Sequence, residues 1–131
     1  FSSISYEDKT YVINKILNDV KGRMLEDIVL LEVMKSLPKH KKAFKYKFNL
    51  GGEYDMVIYD SLNNNCEIYE IKHSDKISLN QTRYLNDIDK CKTIENMYGN
   101  ITNKYVLYRG NDELVNDIQY LNIEKFLINY K

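Results

Sequence analysis

An acid and a lysine two residues apart mark the part of this chain best suited to chemistry. Glu70 and Lys72 lie in the run CEIYEIK at 66–72, whose composition is typical of a strand. Because side chains alternate between the faces of a strand, the two point the same way, about 7 Å apart. Asp55 begins an adjacent apolar run. Buried carboxylates are costly unless they are paired or bind a metal, so these hard oxygen ligands predict a Mg²⁺ or Mn²⁺ site.

A third acid, Glu26, lies on a predicted helix at 23–37. It shares a helical stripe with the apolar residues Val29 and Val33, so its carboxylate is expected on or beside a core-facing row. The alternative is that Glu26 reaches solvent at the helix N-terminus, where the helix dipole favours an anion. The sequence leaves both interpretations open.

The amino-acid composition excludes some classes of protein. The chain has 131 residues, 44% of them hydrophobic, which is enough for one domain with its own core and excludes disorder as the main state. Its longest wholly aliphatic run is 28–31, whereas a membrane span needs about 20 apolar residues. No leader-like pattern opens the sequence, so we expect a cytoplasmic protein without a membrane partner.

The charges give one candidate nucleic-acid surface. The chain carries 19 basic and 19 acidic side chains, which argues against binding nucleic acid by bulk positive charge. A dense basic run nevertheless lies at 39–47. Its usual meaning is a solvated loop and strand edge, and the alternative is that Lys41, Lys42 and Lys45 contact phosphates.

The order of predicted elements indicates an α/β fold with a mixed central sheet flanked by helices. Strands 54–60 and 66–72 are expected to be antiparallel because the turn between them is short. A helix at 79–98 would cross over to a parallel strand at 104–108. The other predicted elements are helices 7–20 and 23–37, strands 43–50 and 118–121, and a last helix that Asn122 caps.

Four features of this order together resemble a known family across most of residues 22–110. They are a helical acid, an aspartate strand, an acid-x-lysine strand and a helical glutamine: Glu26, Asp55 in GGEYDMVI, Glu70-Ile71-Lys72 in IYEIKHS, and Gln81. In these the sequence is similar to the PD-(D/E)xK nuclease superfamily, which implies a restriction-endonuclease-like αβββαβ core. These sequence motifs are most similar to those of an uncharacterised C-terminal domain of prokaryotic AAA-type ATPases. The chain, 1–131, would then be one domain of a longer ATPase, with ATP bound only by an upstream domain; a start without Met fits this expectation.

The resemblance implies a role for each site residue. Asp55 and Glu70 would hold the metal together with the backbone carbonyl of Ile71. Lys72 would orient or activate the attacking water and stabilise developing negative charge. Glu26 would bind the metal through water or align a second ion.

The helix after the acid-lysine strand departs from the family pattern. Gln81 would support the site or touch the phosphate backbone, but Tyr84 follows it by three residues rather than the four of exonuclease-type members. The role of Gln81 is therefore in doubt. His73 directly follows Lys72 but points to the opposite face, which favours a structural or surface histidine.

Two functions from different classes follow. The first is Mg²⁺-dependent hydrolysis of DNA, as the nuclease domain of an AAA-type ATPase. The alternative is a catalytically inactive nuclease-like fold that serves as a nucleic-acid or protein docking module. A plain interaction domain would be preferred if Asp55, Glu70 and Lys72 failed to converge. The sequence leaves open self-association into a homo-oligomer.

Overall fold

The computed structural model describes residues 5–19 and 22–129. It shows a mixed α/β fold in which four helices flank a six-stranded sheet of order β1-β2-β3-β4-β6-β5. The helices are α1 (Tyr6–Asp19), α2 (Arg23–Ser36), α3 (Ile88–Tyr98) and α4 (Ile123–Asn129). The strands are β1 (Lys41–Lys47), β2 (Glu53–Asp60), β3 (Asn65–Ile71), β4 (Asn100–Tyr108), β5 (Glu113–Val115) and β6 (Ile118–Asn122).

The sheet has the predicted pairing at its centre. Strands β2 and β3 are antiparallel, and β4 is parallel to β3, so β3 is an interior strand. The parallel pair β4–β6 and the antiparallel pair β5–β6 complete the sheet. Strand β5, only three residues long, was not predicted, and with β1 it forms the two edges. The mixed sheet flanked by helices is therefore confirmed.

The sheet is buried on both faces. Helices α1, α2 and α4 cover one face, and α3 covers the other. The first core includes Leu17, Val29, Met56, Leu107 and Leu127. The second includes Tyr54, Val57, Ile68, Ile94 and Val106. The strand ends that carry the candidate site thus lie between helices on both faces of the sheet.

The predicted helix at 79–98 is wrong in its first half. Residues Leu79–Thr82 form a single 3₁₀ turn, and α3 begins only at Ile88. The Asp87 carboxylate accepts a hydrogen bond from the Lys90 N–H and thereby caps α3. Because an N-cap residue has a non-helical backbone conformation, the helix begins only after Asp87. Ile88, the first residue of α3, is 71% exposed. Apolar residues continue with helical spacing from the 3₁₀ turn into α3, so the sequence pattern did not reveal the break between them.

Most other boundaries shift by a few residues. Strand β1 begins and ends before the predicted 43–50, and β4 begins at Asn100 instead of residue 104. Asn122 caps α4 as predicted, since its Oδ1 accepts from the Lys125 N–H at 3.0 Å. Val20, the predicted end of the first helix, lies outside the described residues. No helix in the described ranges combines the length and apolar character needed to cross a bilayer.

The junction between α3 and β4 gives a stability prediction. Gly99 has φ of 81°, and a Cβ there would collide with the backbone carbonyl of Asn64 in the β2–β3 turn. We expect Gly99→Ala to lower the free energy of unfolding by about 3 kcal/mol or more, since strain adds to a backbone collision. Gly51→Ala is the matched control: its φ is 99°, but its Cβ would meet open space. Urea unfolding followed by circular dichroism would contradict this account if both variants lost the same stability.

Candidate active site

The site forms where β2 and β3 separate. Their ladder runs from the pair Asp60–Asn65 to the pair Met56–Tyr69. Just beyond it, the Ile71 N–H donates a hydrogen bond of 2.8 Å to Oδ2 of Asp55. The Asp55 side chain therefore continues the strand pairing at the point where the ladder ends, although it is only 4% exposed.

A β-bulge sets the direction of the neighbouring side chains. The register between β1 and β2 shifts so that Lys45 lies opposite two β2 residues, Asp55 and Met56. Because of this extra residue, Tyr54 and Val57 lie in the same core although they are three positions apart. The bulge thus places Asp55 and Met56 of β2 opposite Lys45.

Among the acids of the site, Glu70 has the most strongly shifted pKa. It is 3% exposed, and its Oε1 is buried without a hydrogen-bond partner among the residues that the structure describes. Its Oε2 lies 3.7 Å from Nζ of Lys72. Burial, together with the charge of Asp55 and a hydrogen bond to it, raises the pKa of Glu70 to about 9, which Lys72 only partly opposes. Without a metal, this pair of carboxyl groups holds a proton near neutral pH.

A second group of acids lies on the other side of Asp55. Carboxylate oxygens of Glu26, Glu53 and Asp55 lie within 4.8 Å of one another. Nζ of Lys45 is 3.0 Å from Oε1 of Glu26 and 3.8 Å from Oε2 of Glu53. Burial and the charge of Asp55 raise the pKa of Glu26, while its hydrogen bond to Lys45 opposes the rise. Burial disfavours the charged form of Lys45, but Glu26 and Glu53 outweigh it and raise its pKa.

The two acid groups approach Asp55 from different faces of the sheet. Tyr69 belongs to the core beneath α2 and Ile68 to the core beneath α3, so alternation directs Glu70 to the α3 side. Glu26 comes from α2 on the opposite face, and its charge is the weakest of the main influences on the pKa of Glu70. Asp55, in the gap between the strands, contacts both groups.

The structure brings together the acids and the lysine named from the sequence: Asp55, Glu70, Lys72 and Glu26. It adds Glu53, which the sequence analysis missed although it stands two residues before Asp55 in GGEYD. The contact observed for the main chain of Ile71 is its N–H on Asp55, and metal binding by its carbonyl stays a prediction. Lys45, predicted to contact phosphates, is paired with acids of the cluster.

Gln81 lies outside this cluster of contacts. It is buried, its Oε1 accepts from the Ser78 N–H at 2.9 Å, and its Nε2 donates to the Lys76 carbonyl at 2.8 Å. Both bonds hold the loop that follows β3. His73 likewise anchors this loop, since its Nε2 lies 2.6 Å from the Leu17 carbonyl of α1, which confirms the structural interpretation of this histidine.

Lys41 and Lys42 lie at a different place on β1. They line a groove of about 400 Å³ between the end of α2 and the strand, together with Lys39. Met34 and Phe44 contribute apolar surface to the same groove. The basic run of the sequence therefore divides into two environments, a groove and the acid cluster.

The acids could hold one or more divalent cations. Carboxylate oxygens are the ligands that Mg²⁺ and Mn²⁺ prefer, and Glu70 and Glu53 each have a buried oxygen without a hydrogen-bond partner in the described part of the chain. A cation between Asp55 and Glu70 would also relieve the repulsion that keeps a proton on the pair. The donor set thus fits a hard divalent cation.

The raised pKa of Glu70 predicts how the stability of the metal-free protein depends on pH. The ordinary value is 4.5 and the folded value is about 9, so between them the folded state binds the extra proton. The stabilisation is complete below about pH 4.5 and is lost as the pH rises towards 9. Urea unfolding in EDTA should therefore show that wild type loses stability relative to Glu70→Gln between pH 5 and pH 9. The exposed Glu113→Gln is the control, and parallel curves for all three proteins would contradict the prediction.

Comparison with known proteins supports a family assignment. A family model described as Domain of unknown function (DUF4143) matches residues 21–126. No curated protein matches the chain significantly. No solved structure does so either. Because the family model covers most of the chain, including β1–β6 and every acid of the cluster, this protein belongs to the DUF4143 family.

Proposed function

We propose that this protein hydrolyses phosphodiester bonds in DNA with a bound Mg²⁺ or Mn²⁺, through a PD-(D/E)xK-like site. The observation that carries the proposal is Glu70, a carboxylate that is almost completely buried, has one oxygen without a partner in the described chain, and lies against Asp55. Such an arrangement is costly for stability unless a cation is bound. Strongly perturbed acids of this kind are concentrated at functional sites.

Asp55 and Glu70 are the proposed metal ligands, with the carbonyl of Ile71 as a third and Glu26 bound through water. Asp55 is already held by the Ile71 N–H, so its other oxygen is positioned in advance. A bound divalent cation would neutralise phosphate charge and lower the pKa of a water molecule.

The proposed role of Lys72 is to contact the substrate phosphate. Its side chain is 41% exposed, and its Nζ lies 3.7 Å from Oε2 of the buried Glu70. An ammonium at the rim can orient a water molecule and stabilise negative charge as it develops on a phosphate. Glu70 thereby has two proposed tasks, to bind the cation and to hold Lys72 in position.

The proposed setting is the nuclease domain of an AAA-type ATPase. In that setting DNA is the partner of this domain, and ATP is bound by an ATPase domain elsewhere in the same chain. The proposal is consistent with the match to the DUF4143 family. In this proposal, hydrolysis of DNA needs the bound metal but not ATP.

Cleavage assays with full-length protein and Mg²⁺ or Mn²⁺, with and without ATP, test this function. We expect wild type to cut DNA, and Lys72→Met and Glu70→Gln each to reduce the rate at least about 100-fold, the usual effect of losing a charge that stabilises the transition state. Lys72→Met should bind DNA almost as wild type does. Lys92→Met, an exposed lysine on α3, is the control. No cutting of linear, supercoiled, single-stranded or branched DNA by wild type would refute the proposal.

The second candidate is a catalytically inactive docking module. The groove at β1 favours it, because an apolar floor beside Lys39, Lys41 and Lys42 can hold a nucleic acid or a protein segment. The acid cluster would then be a structural element whose Glu26–Lys45 pair ties α2 to β1.

Binding measurements distinguish the two candidates. For the docking module we expect Lys41→Met and Lys42→Met to weaken DNA binding and to make its salt dependence shallower, by about one unit of slope for each phosphate that the variant no longer neutralises. Lys47→Met, exposed on the same strand, is the control. Fluorescence anisotropy at several salt concentrations gives the slopes. Unchanged slopes together with metal-dependent cleavage would exclude this candidate.

A further inference from the structure

Lys45 contacts two of the three acids, Glu26, Glu53 and Asp55, that could bind a second metal ion of the proposed centre. We propose that its ammonium group takes the place of that ion and limits the centre to one divalent cation. The inference rests on the proposed function and concerns its metal stoichiometry. It makes Lys45 a specificity-determining residue of the site.

The ligand set around Lys45 is suited to a divalent cation. Glu26, Glu53 and Asp55 place three carboxylate oxygens within 4.8 Å of one another. An ion with ligand distances of about 2.1 Å could contact all three after small movements of these side chains. Nζ of Lys45 approaches two of these residues, at 3.0 Å and 3.8 Å. An ammonium ion thus supplies positive charge to oxygens that a metal would otherwise bind.

The other half of the centre has a different relation to its lysine. Glu70 has a buried oxygen without a partner in the described chain, and Lys72 contacts it from an exposed position. The Lys45 side chain is more buried, with 20% of it exposed. Lys72 therefore contacts its acid from the rim, whereas Lys45 lies deeper, with a close contact to Glu26 and a longer one to Glu53.

The backbone keeps Lys45 in this position. Lys45 is the β1 residue opposite the β2 bulge, and Glu26 comes from the helix packed over the same face. A second ion would have to displace an ammonium that makes a direct hydrogen bond to Glu26. Removal of the ammonium leaves Glu26 and Glu53 without their positive partner, and a divalent cation would be the most favourable replacement.

Mn²⁺ titration calorimetry of the metal-free full-length protein tests the proposal, because it needs no activity. We expect wild type to bind a single ion per chain beside Asp55 and Glu70. Lys45→Met keeps most of the packing of the side chain and should bind a second ion. Lys42→Met removes one positive charge from an exposed position on the same strand and should bind a single ion. The double variant Lys45→Met/Glu53→Gln should return to a single ion.

Each outcome decides a different point. A single ion on both wild type and Lys45→Met overturns the role of Lys45 but leaves the proposed function standing. Wild type without any bound Mn²⁺ overturns the proposed function and this inference with it. If Lys45→Met does not fold, wild-type crystals soaked in Mn²⁺ decide. A single anomalous peak beside Glu70, with Lys45 still on Glu26, supports the proposal, and a peak between Glu26 and Glu53 overturns it.

Discussion

The hydrogen bond from the Ile71 N–H to the Asp55 carboxylate is the interaction on which this site depends. A buried N–H at the end of a ladder needs an acceptor, and a buried carboxylate needs donors, so one contact meets both demands. It lets β2 and β3 separate without leaving the N–H of Ile71 unpaired. Through the gap that results, acids from the two faces of the sheet, Glu26 and Glu70 among them, can reach the same carboxylate.

The charges at this gap do not balance. Four acids, Glu26, Glu53, Asp55 and Glu70, meet two lysines, Lys45 and Lys72, within the described part of the chain. Full ionisation would leave an excess of negative charge in a partly buried place, so the metal-free protein keeps a proton near Glu70. That proton and a divalent cation relieve the same repulsion. Metal binding at these oxygens would therefore be linked to their acidity.

Periodicity predicted the central sheet because β2, β3 and β4 are long and apolar, and it predicted the convergence of Asp55 with Glu70 because both lie in those strands. Periodicity failed to predict where the third helix begins, because that start is set by the Asp87 cap and the apolar pattern continues across it. It also missed Glu53 and misplaced Lys45. Lys45 shares the face of β1 that Ala43 occupies, but the acids it meets are positioned by a bulge in β2, which changes the face that a β2 residue occupies without altering the composition of the strand.

The basic run at 39–47 is not one surface, because the lysines of β1 lie at different places along the strand. Lys41 and Lys42 line the groove beside α2, while Lys45 turns into the acid cluster a few residues further along the same strand. Loss of charge at Lys45 would first disturb the acids, whereas loss at Lys41 would first weaken an external contact. Strand β1 is an edge strand of the sheet, and its residue Lys45 lies opposite the bulge of its neighbour β2. The strand thereby connects the groove proposed for binding with the residues proposed to do the chemistry.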